Sequence, residues 1–258
     1  MHPRLLQFGH IAIPTYGALT ALALIAGLAA AVHFARRLNL DPNRIWSLCL
    51  IGILTTLIGA RLLLIVSYFS AFRQHPFWIL GLTNIHDSWV IALSIAAGFA
   101  AAMLYALAEG LPLLVTLDCL APPAALAIAI NRIGAFLAGL DYGTSTTRPW
   151  SVTYTSRIAS LWYRTPLGIR LHPVQLYDAA ASLLILMLLV WWLPRRSQDG
   201  EIAGAWFFLY GFSSFFVSFY RAGSGDFPAS QLFSIAAVIA GGALWARRKA
   251  PQQMSATV

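Results

Sequence analysis

Long apolar runs recur along this chain, and they leave few folds open to it. Seven stretches, at 11–35, 45–69, 88–108, 113–140, 173–193, 202–220 and 229–246, carry almost no charge. A helix needs roughly 20 apolar residues to cross the hydrocarbon of a bilayer. No water is available there, so a spanning segment must satisfy its own backbone, and a helix does so. The expected fold is an all-α integral membrane protein with seven transmembrane helices. Composition agrees. The chain is 59% hydrophobic and 10% charged, where a soluble domain carries about 25% charged residues. Mean hydropathy is +0.71. No internal repeat is visible, which gives no support to an inverted-repeat transporter.

The segments between the runs are mostly short. Residues 143–172 are the exception, with Thr, Tyr, Trp and strand-like stretches such as Trp150 to Tyr154. They are expected to form a small extramembrane head between helices 4 and 5, inserted in one polytopic domain covering 1–258. Pro122-Pro123 is expected to interrupt the fourth span. Met1 to His10 lacks the pattern of a cleaved signal peptide, so the first span is expected to stay in the membrane. Cys49 and Cys119 lie far apart in apolar context and read as buried hydrophobes, not as a disulfide or metal site.

Orientation follows from basic residues close to span ends. One side holds Arg36, Arg37, Arg44, Arg195, Arg196, Arg247, Arg248 and Lys249. The other holds Arg4, Arg73, Arg148, Arg157, Arg164 and Arg170, spread over longer segments. The first side is expected to be cytoplasmic. The N-terminus, the loop with His86, the head and the turn with Asp226 then lie outside, and the C-terminus inside.

Three arginines break the apolar pattern. Arg132 opens the stretch 131–143, Arg61 lies inside the second span, and Arg221 ends the sixth. A charge at the centre of a bilayer costs about 2.5–3.5 kcal/mol on insertion scales, so each is a candidate site residue. Counting along the spans puts all three at the outer face with His86, His172 and Asp226. Arginine grips phosphate with a planar fork of donors. A ring of them at headgroup depth suits an anionic phospholipid, and the same groups can stabilise a phosphate leaving group. A histidine beside them can accept a proton from a nucleophile. Structural readings stand beside these. Arg132 can snorkel to the interface, Arg221 can pair with Asp226, and Arg61 can pair with a carbonyl. His172, before a proline, can cap the fifth span and anchor the head, and Tyr16 can be an interfacial aromatic. No nucleotide-binding loop, HExxH or GxSxG motif is present, so ATP, zinc and a serine nucleophile are not required.

Five segments carry a family resemblance in order. They are Ile13-Pro14-Thr15-Tyr16-Gly17, Gly59-Ala60-Arg61-Leu62, Arg132-Ile133-Gly134 with Gly139 and Gly143, His172-Pro173-Val174-Gln175-Leu176-Tyr177-Asp178, and Tyr220-Arg221 with Asp226 and Gln231 to Ile235. Together they resemble the prolipoprotein diacylglyceryl transferase family. The fourth is close to that family's H-P-[ST]-Q-L-Y-E. The resemblance implies a multi-pass enzyme of the bacterial inner membrane, N-terminus periplasmic and C-terminus cytoplasmic. Such an enzyme moves diacylglyceryl from phosphatidylglycerol to the lipobox cysteine of a preprolipoprotein. It implies His86, Arg132 and Arg221 as catalytic residues. It implies Tyr16, Arg61, Gly143, His172, Asp226 and Asp141 as substrate-binding residues. No cofactor, metal or nucleic acid is implied, and the chain is expected to act as a monomer on phosphatidylglycerol and the preprolipoprotein signal peptide. The sequence also departs from the family signature. Ala135 and Ala138 stand where it has asparagine, Leu140 where it has glutamate, and Asp87-Ser88 where two glycines follow the histidine. A divergent member that binds an anionic phospholipid, or modifies another acceptor, is the alternative.

Overall fold

A computed structural model describes residues 3–8, 11–74, 88–222 and 229–246. The helices fall where the apolar runs are. They are α1 (Thr15–Arg37), α2 (Pro42–Ser67), α3 (Phe69–Gln74), α4 (Ser88–Ala108), α5 (Leu113–Ala138), α6 (Arg157–Tyr163), α7 (Val174–Trp192), α8 (Glu201–Ser218) and α9 (Ala229–Ala246). Among the described residues, α1, α2, α4, α5 and α7 are long and apolar enough to cross a membrane. The chain is therefore helical and of the membrane class. Helices α8 and α9 occupy the sixth and seventh expected positions at 18 residues each.

Two local expectations change. Residues 11–14 do not begin the first helix. They form β2 (Ile11–Pro14), antiparallel to β1 (Arg4–Phe8). Pro14 explains this, because the residue before a proline is pushed into extended conformation. Helix α5 is not interrupted at Pro122-Pro123 but runs through both. Neighbouring helices tolerate the lost donors in membrane-class folds. Gly241 brings α9 close against α8, since an added Cβ would lie 2.6 Å from the Gly204 carbonyl oxygen. Gly242 has nothing within 4 Å of such an atom.

The described residues form two compact units. The smaller, 32–116, holds the end of α1 and helices α2 to α4. Gly52 and Gly98 let α2 and α4 approach closely, since a Cβ on Gly98 would lie 2.6 Å from the Gly52 carbonyl oxygen. Leu64, Phe72 and Val90 form a buried cluster there. Arg61 belongs to this unit, with its guanidinium 5.6 Å from the Phe72 ring centroid. Arg44 joins the two ends of the α2–α4 pair, donating to the Glu109 carbonyl at 2.8 Å.

The larger unit, 1–31 and 117–258, contains α5 to α9 and the start of α1. Helix α1 packs on α5 through Gly134, where a Cβ would lie 2.8 Å from that of Leu19. Asn131 adds a hydrogen bond to the Thr20 hydroxyl at 2.9 Å. Residues 143–172 form a folded insertion with β3 (Val152–Thr153) paired to β4 (Arg170–Leu171) and α6 between them. Its core is Tyr154, Ala159, Tyr163, Thr165 and Leu171, all buried. Burial pushes the Tyr154 hydroxyl up to about 12, although a hydrogen bond from Gln175 opposes this. The fold therefore keeps that phenol neutral. Its contribution to stability is complete below the ordinary tyrosine value of 10.0 and is lost as pH rises from there through about 12. Titration by tyrosinate absorbance is expected to show one late, cooperative step as the insertion opens, abolished in Tyr154→Phe.

Candidate functional site

Helix α5 ends in a turn that aims its arginine. Gly139 adopts φ +86°, and its N–H and that of Leu140 both donate to the Ala135 carbonyl at 2.9 Å. This is the left-handed glycine cap expected after a helix. Asp141 is also left-handed, at φ +55°. The two turns fold the chain back so that the Asp141 carboxylate reaches Arg132, Nη1 to Oδ2 at 2.9 Å.

A backbone ribbon then joins three helix ends. Thr144 N–H donates to the Tyr220 carbonyl at 2.8 Å, and Ala222 N–H to the Tyr142 carbonyl at 3.1 Å. On the other side His172 N–H donates to the Thr144 carbonyl at 2.9 Å, and Thr146 N–H to the Arg170 carbonyl at 2.9 Å. The chain after α5 thus lies between the approach to α7 and the end of α8. Gly143 sits where these segments cross. A Cβ there would overlap the His172 carbonyl oxygen and lie 2.9 Å from that of Tyr220. Gly143→Ala is expected to separate the ribbon. We expect a lower midpoint of thermal unfolding and a strong loss of any activity that needs Arg132 and Arg221 together. A fully stable, fully active Gly143→Ala protein would contradict this placement.

The centre of the site is Asp178, only 5% exposed, on the first turns of α7. One of its oxygens, Oδ2, accepts from Arg221 Nη2 at 2.7 Å and lies 3.2 Å from Arg132 Nε. Two arginines from α5 and the end of α8 therefore share one buried carboxylate. A buried charge is tolerated when it is paired and hydrogen-bonded. The cluster of Arg132, Arg221, Asp178 and Asp141 is formally neutral. Asp141 is its exposed member, at 43%, and can yield to an incoming anion without opening the core. Tyr210 of α8 also hydrogen-bonds to Arg132, and its ring stacks on Trp206 with centroids 5.6 Å apart.

A cavity of about 240 Å³ opens beside this cluster, lined by Arg132, Tyr210, Ser214, Arg221, Ser230 and Ser234 among others. Gly211 forms part of its wall and brings α8 against α9, because a Cβ there would lie 2.6 Å from the Ser234 carbonyl. Two guanidinium groups and several hydroxyls in one recess suit an anion that also bears alcohols.

The other nominated residues fall as follows. His172 places Nδ1 3.1 Å from the Tyr177 hydroxyl, which also accepts from Trp150 Nε1 at 2.8 Å. Its ring lies 4.9 Å from that of Tyr220. Tyr16 sits on the first turn of α1 and interacts electrostatically with Tyr163, whose hydroxyl is raised above its ordinary value mainly by burial. Arg61 lies in the other unit. His86 and Asp226 lie outside the described residues. Ala135 and Ala138 are buried, at 1% and 0% exposed. Asparagine at either place would have to bury its amide.

Sequence reasoning did not nominate Asp178, Tyr210, Gln175 or Asp118 as site residues, although Gln175 and Asp178 stand in the segment 172–178. Gln175 is buried and donates to the Leu140 carbonyl at 2.6 Å, tying α7 to the turn that carries Asp141. Asp118 is fully buried on α5 and accepts from Arg196 at 2.8 Å, Gly200 N–H at 2.9 Å and Ala203 N–H at 2.8 Å. It caps α8 at the end of α5 away from Arg132, about 21 Å along the helix at 1.5 Å per residue. The signal for both acids was present. A carboxylate inside an apolar run is as costly as an arginine there.

Comparison with known proteins accounts for the arrangement. The family described as prolipoprotein diacylglyceryl transferase matches residues 3–247. The chain belongs to this family. Several relatives bear the name phosphatidylglycerol–prolipoprotein diacylglyceryl transferase. That of Finegoldia magna is 33% identical over 90% of this chain and 89% of its own length. That of Clostridium tetani is 28% identical over 93% of this chain and 95% of its own. That of Synechococcus elongatus is 28% identical over 94% and 86%. Membership spans almost the whole chain, so α5, α7 and α8 and the ribbon that joins them all lie within the family match.

Proposed function

We propose that this protein transfers the diacylglyceryl group of phosphatidylglycerol to the lipobox cysteine thiol of a preprolipoprotein. One observation carries the reading: Arg132 and Arg221 converge on Asp178 beside a cavity rich in hydroxyls. The lipid phosphate displaces Asp141 and takes the guanidinium donors that it leaves. The headgroup alcohols meet Ser214, Ser230 and Ser234. The cysteine thiol loses its proton to His86, and the thiolate sulfur attacks the glyceryl C3 carbon. The C3–O bond breaks and glycerol 1-phosphate departs, its charge held by the two arginines. Tyr16 and Arg61 position the headgroup.

The chain acts as a monomer in the bacterial inner membrane. Helices α8 and α9 serve as spans six and seven, the N-terminus and residues 143–172 are periplasmic, and the C-terminus is cytoplasmic. The density of arginines at 36, 37, 44, 195 and 196 supports that orientation.

The test is mass transfer. Protein reconstituted with labelled phosphatidylglycerol and a lipobox peptide should give a thioether-linked diacylglyceryl peptide. Its absence, under conditions where a relative transfers, would overturn the reading. The buried Ala135 and Ala138 favour one alternative, a member that binds the lipid without transfer. Saturable binding with no product would select it.

A further inference from the structure

Residues 143–172 carry Arg148, Arg157, Arg164 and Arg170 and no aspartate or glutamate. All four arginines are exposed. Among the described residues none of them pairs with a carboxylate. Large apolar side chains stand between them: Leu161 is 81% exposed, Trp150 56% and Ile169 47%. Helix α6 organises the face. Ala159 and Tyr163 turn into the core, while Arg157 and Leu161, one turn apart, point outward. Arg164 closes the helix in a left-handed conformation at φ +56°. The N-terminal hairpin adjoins this face, since the Arg4 guanidinium lies 5.4 Å from the Trp162 ring. Its Leu5 and Leu6 are also about half exposed, at 52% and 51%.

We propose that this face of the insertion rests on the bilayer surface and binds its anionic phospholipid headgroups. Water is a poor neighbour for Leu161 and Ile169, and a plain cationic loop would not carry them. Apolar side chains that enter the acyl boundary, with guanidinium groups at phosphate depth, are what an interfacial element requires. The attraction grows with anionic lipid because each arginine gains from the negative surface potential. A protein partner would have to bring carboxylates to the same face, and the exposed leucine and isoleucine favour lipid. Gln175 ties the insertion to the site, donating to the Tyr154 hydroxyl at 3.3 Å and to the Leu140 carbonyl at 2.6 Å, so lipid held here is gathered beside the cavity. The inference rests on the proposed placement of residues 143–172 at the outer membrane face.

The test uses full-length protein in nanodiscs, with a nitroxide on Leu161→Cys or, in a second variant, Ile169→Cys. Cys49→Ser removes the more accessible native thiol, and Cys119 is fully buried. Discs contain phosphatidylcholine alone or phosphatidylcholine with phosphatidylserine, an anionic lipid other than the proposed donor. We expect anionic discs to lower nickel-chelate access to the nitroxide several-fold and to raise oxygen access. Adding Arg157→Gln and Arg164→Gln should remove the difference. Those two changes should also raise the fraction of phosphatidylglycerol needed for half-maximal transfer several-fold and leave the saturating rate unchanged. Equal nickel access in both discs would overturn the proposal. So would shielding that appears only when a lipobox peptide is added, since the partner would then be the protein substrate. Lipid-dependent shielding in a protein that transfers nothing would sink the transferase reading and leave this one standing.

Discussion

Arg132→Ala is expected to lower transfer from phosphatidylglycerol roughly 10²–10³-fold, the range found when one preorganised donor to a developing charge is removed. Arg132 is the hinge of the ionic cluster. It contacts Asp141 at 2.9 Å and Asp178 at 3.2 Å and lines the cavity. Its loss removes the donor fork and leaves Asp178, among the described residues, with Arg221 as its remaining ion-pair partner. Arg132→Lys is expected to rescue little. An ammonium retains the charge but cannot bridge two carboxylates and a phosphate with fixed planar geometry. The decisive comparison is single-turnover transfer in protein of matched thermal stability. Arg132→Lys at wild-type rate would show that charge alone is needed there, and the fork would have no role.

The second large effect concerns stability and function together. Asp178→Asn keeps the shape of the side chain but removes the buried countercharge that Arg132 and Arg221 share. Breaking a buried pair in this way costs on the order of 3–5 kcal/mol, because the remaining charges lose their compensation. We expect a clear fall in the midpoint of thermal unfolding and a severe loss of transfer. Asp178→Glu is expected to restore most of both, since glutamate is the residue of the family motif at this place. The readout that separates positioning from bulk stability is the split between KM and kcat. Arginines that are present but misdirected should raise KM for phosphatidylglycerol more than they lower kcat. An Asp178→Asn protein as stable and as active as wild type would remove Asp178 from the site.

Much of this protein was legible along the chain, and the reasons are physical. Hydropathy is local, so every apolar run except its edges became a helix. The edges shifted where short-range chemistry intervened, as Pro14 did when it turned residues 11–14 into a strand. The ribbon formed by 142–146, 170–172 and 220–222 left no trace in periodicity. It is made of isolated bridges and two-residue strands, too short for alternation to be seen. The sequence offers Asp226, five residues away, as a partner for Arg221, and that residue lies outside the described residues. Among the described residues Arg221 donates to Asp178 at 2.7 Å, 43 residues away. The acid of the family signature appeared displaced by one place to Asp141. The left-handed turns at Gly139 and Asp141 bring that carboxylate back to Arg132.

By itself the sequence determined the membrane class, the positions of the helices and the arginines that an apolar chain would not keep without a use. Each follows from solvation of single residues or short runs, which needs no knowledge of neighbours in space. Only the tertiary structure decided which carboxylate Arg132 and Arg221 share. Ion pairing depends on distances of about 3 Å between α5, α7 and the end of α8. Those distances are set by helix packing and by a ribbon that closes over Gly143.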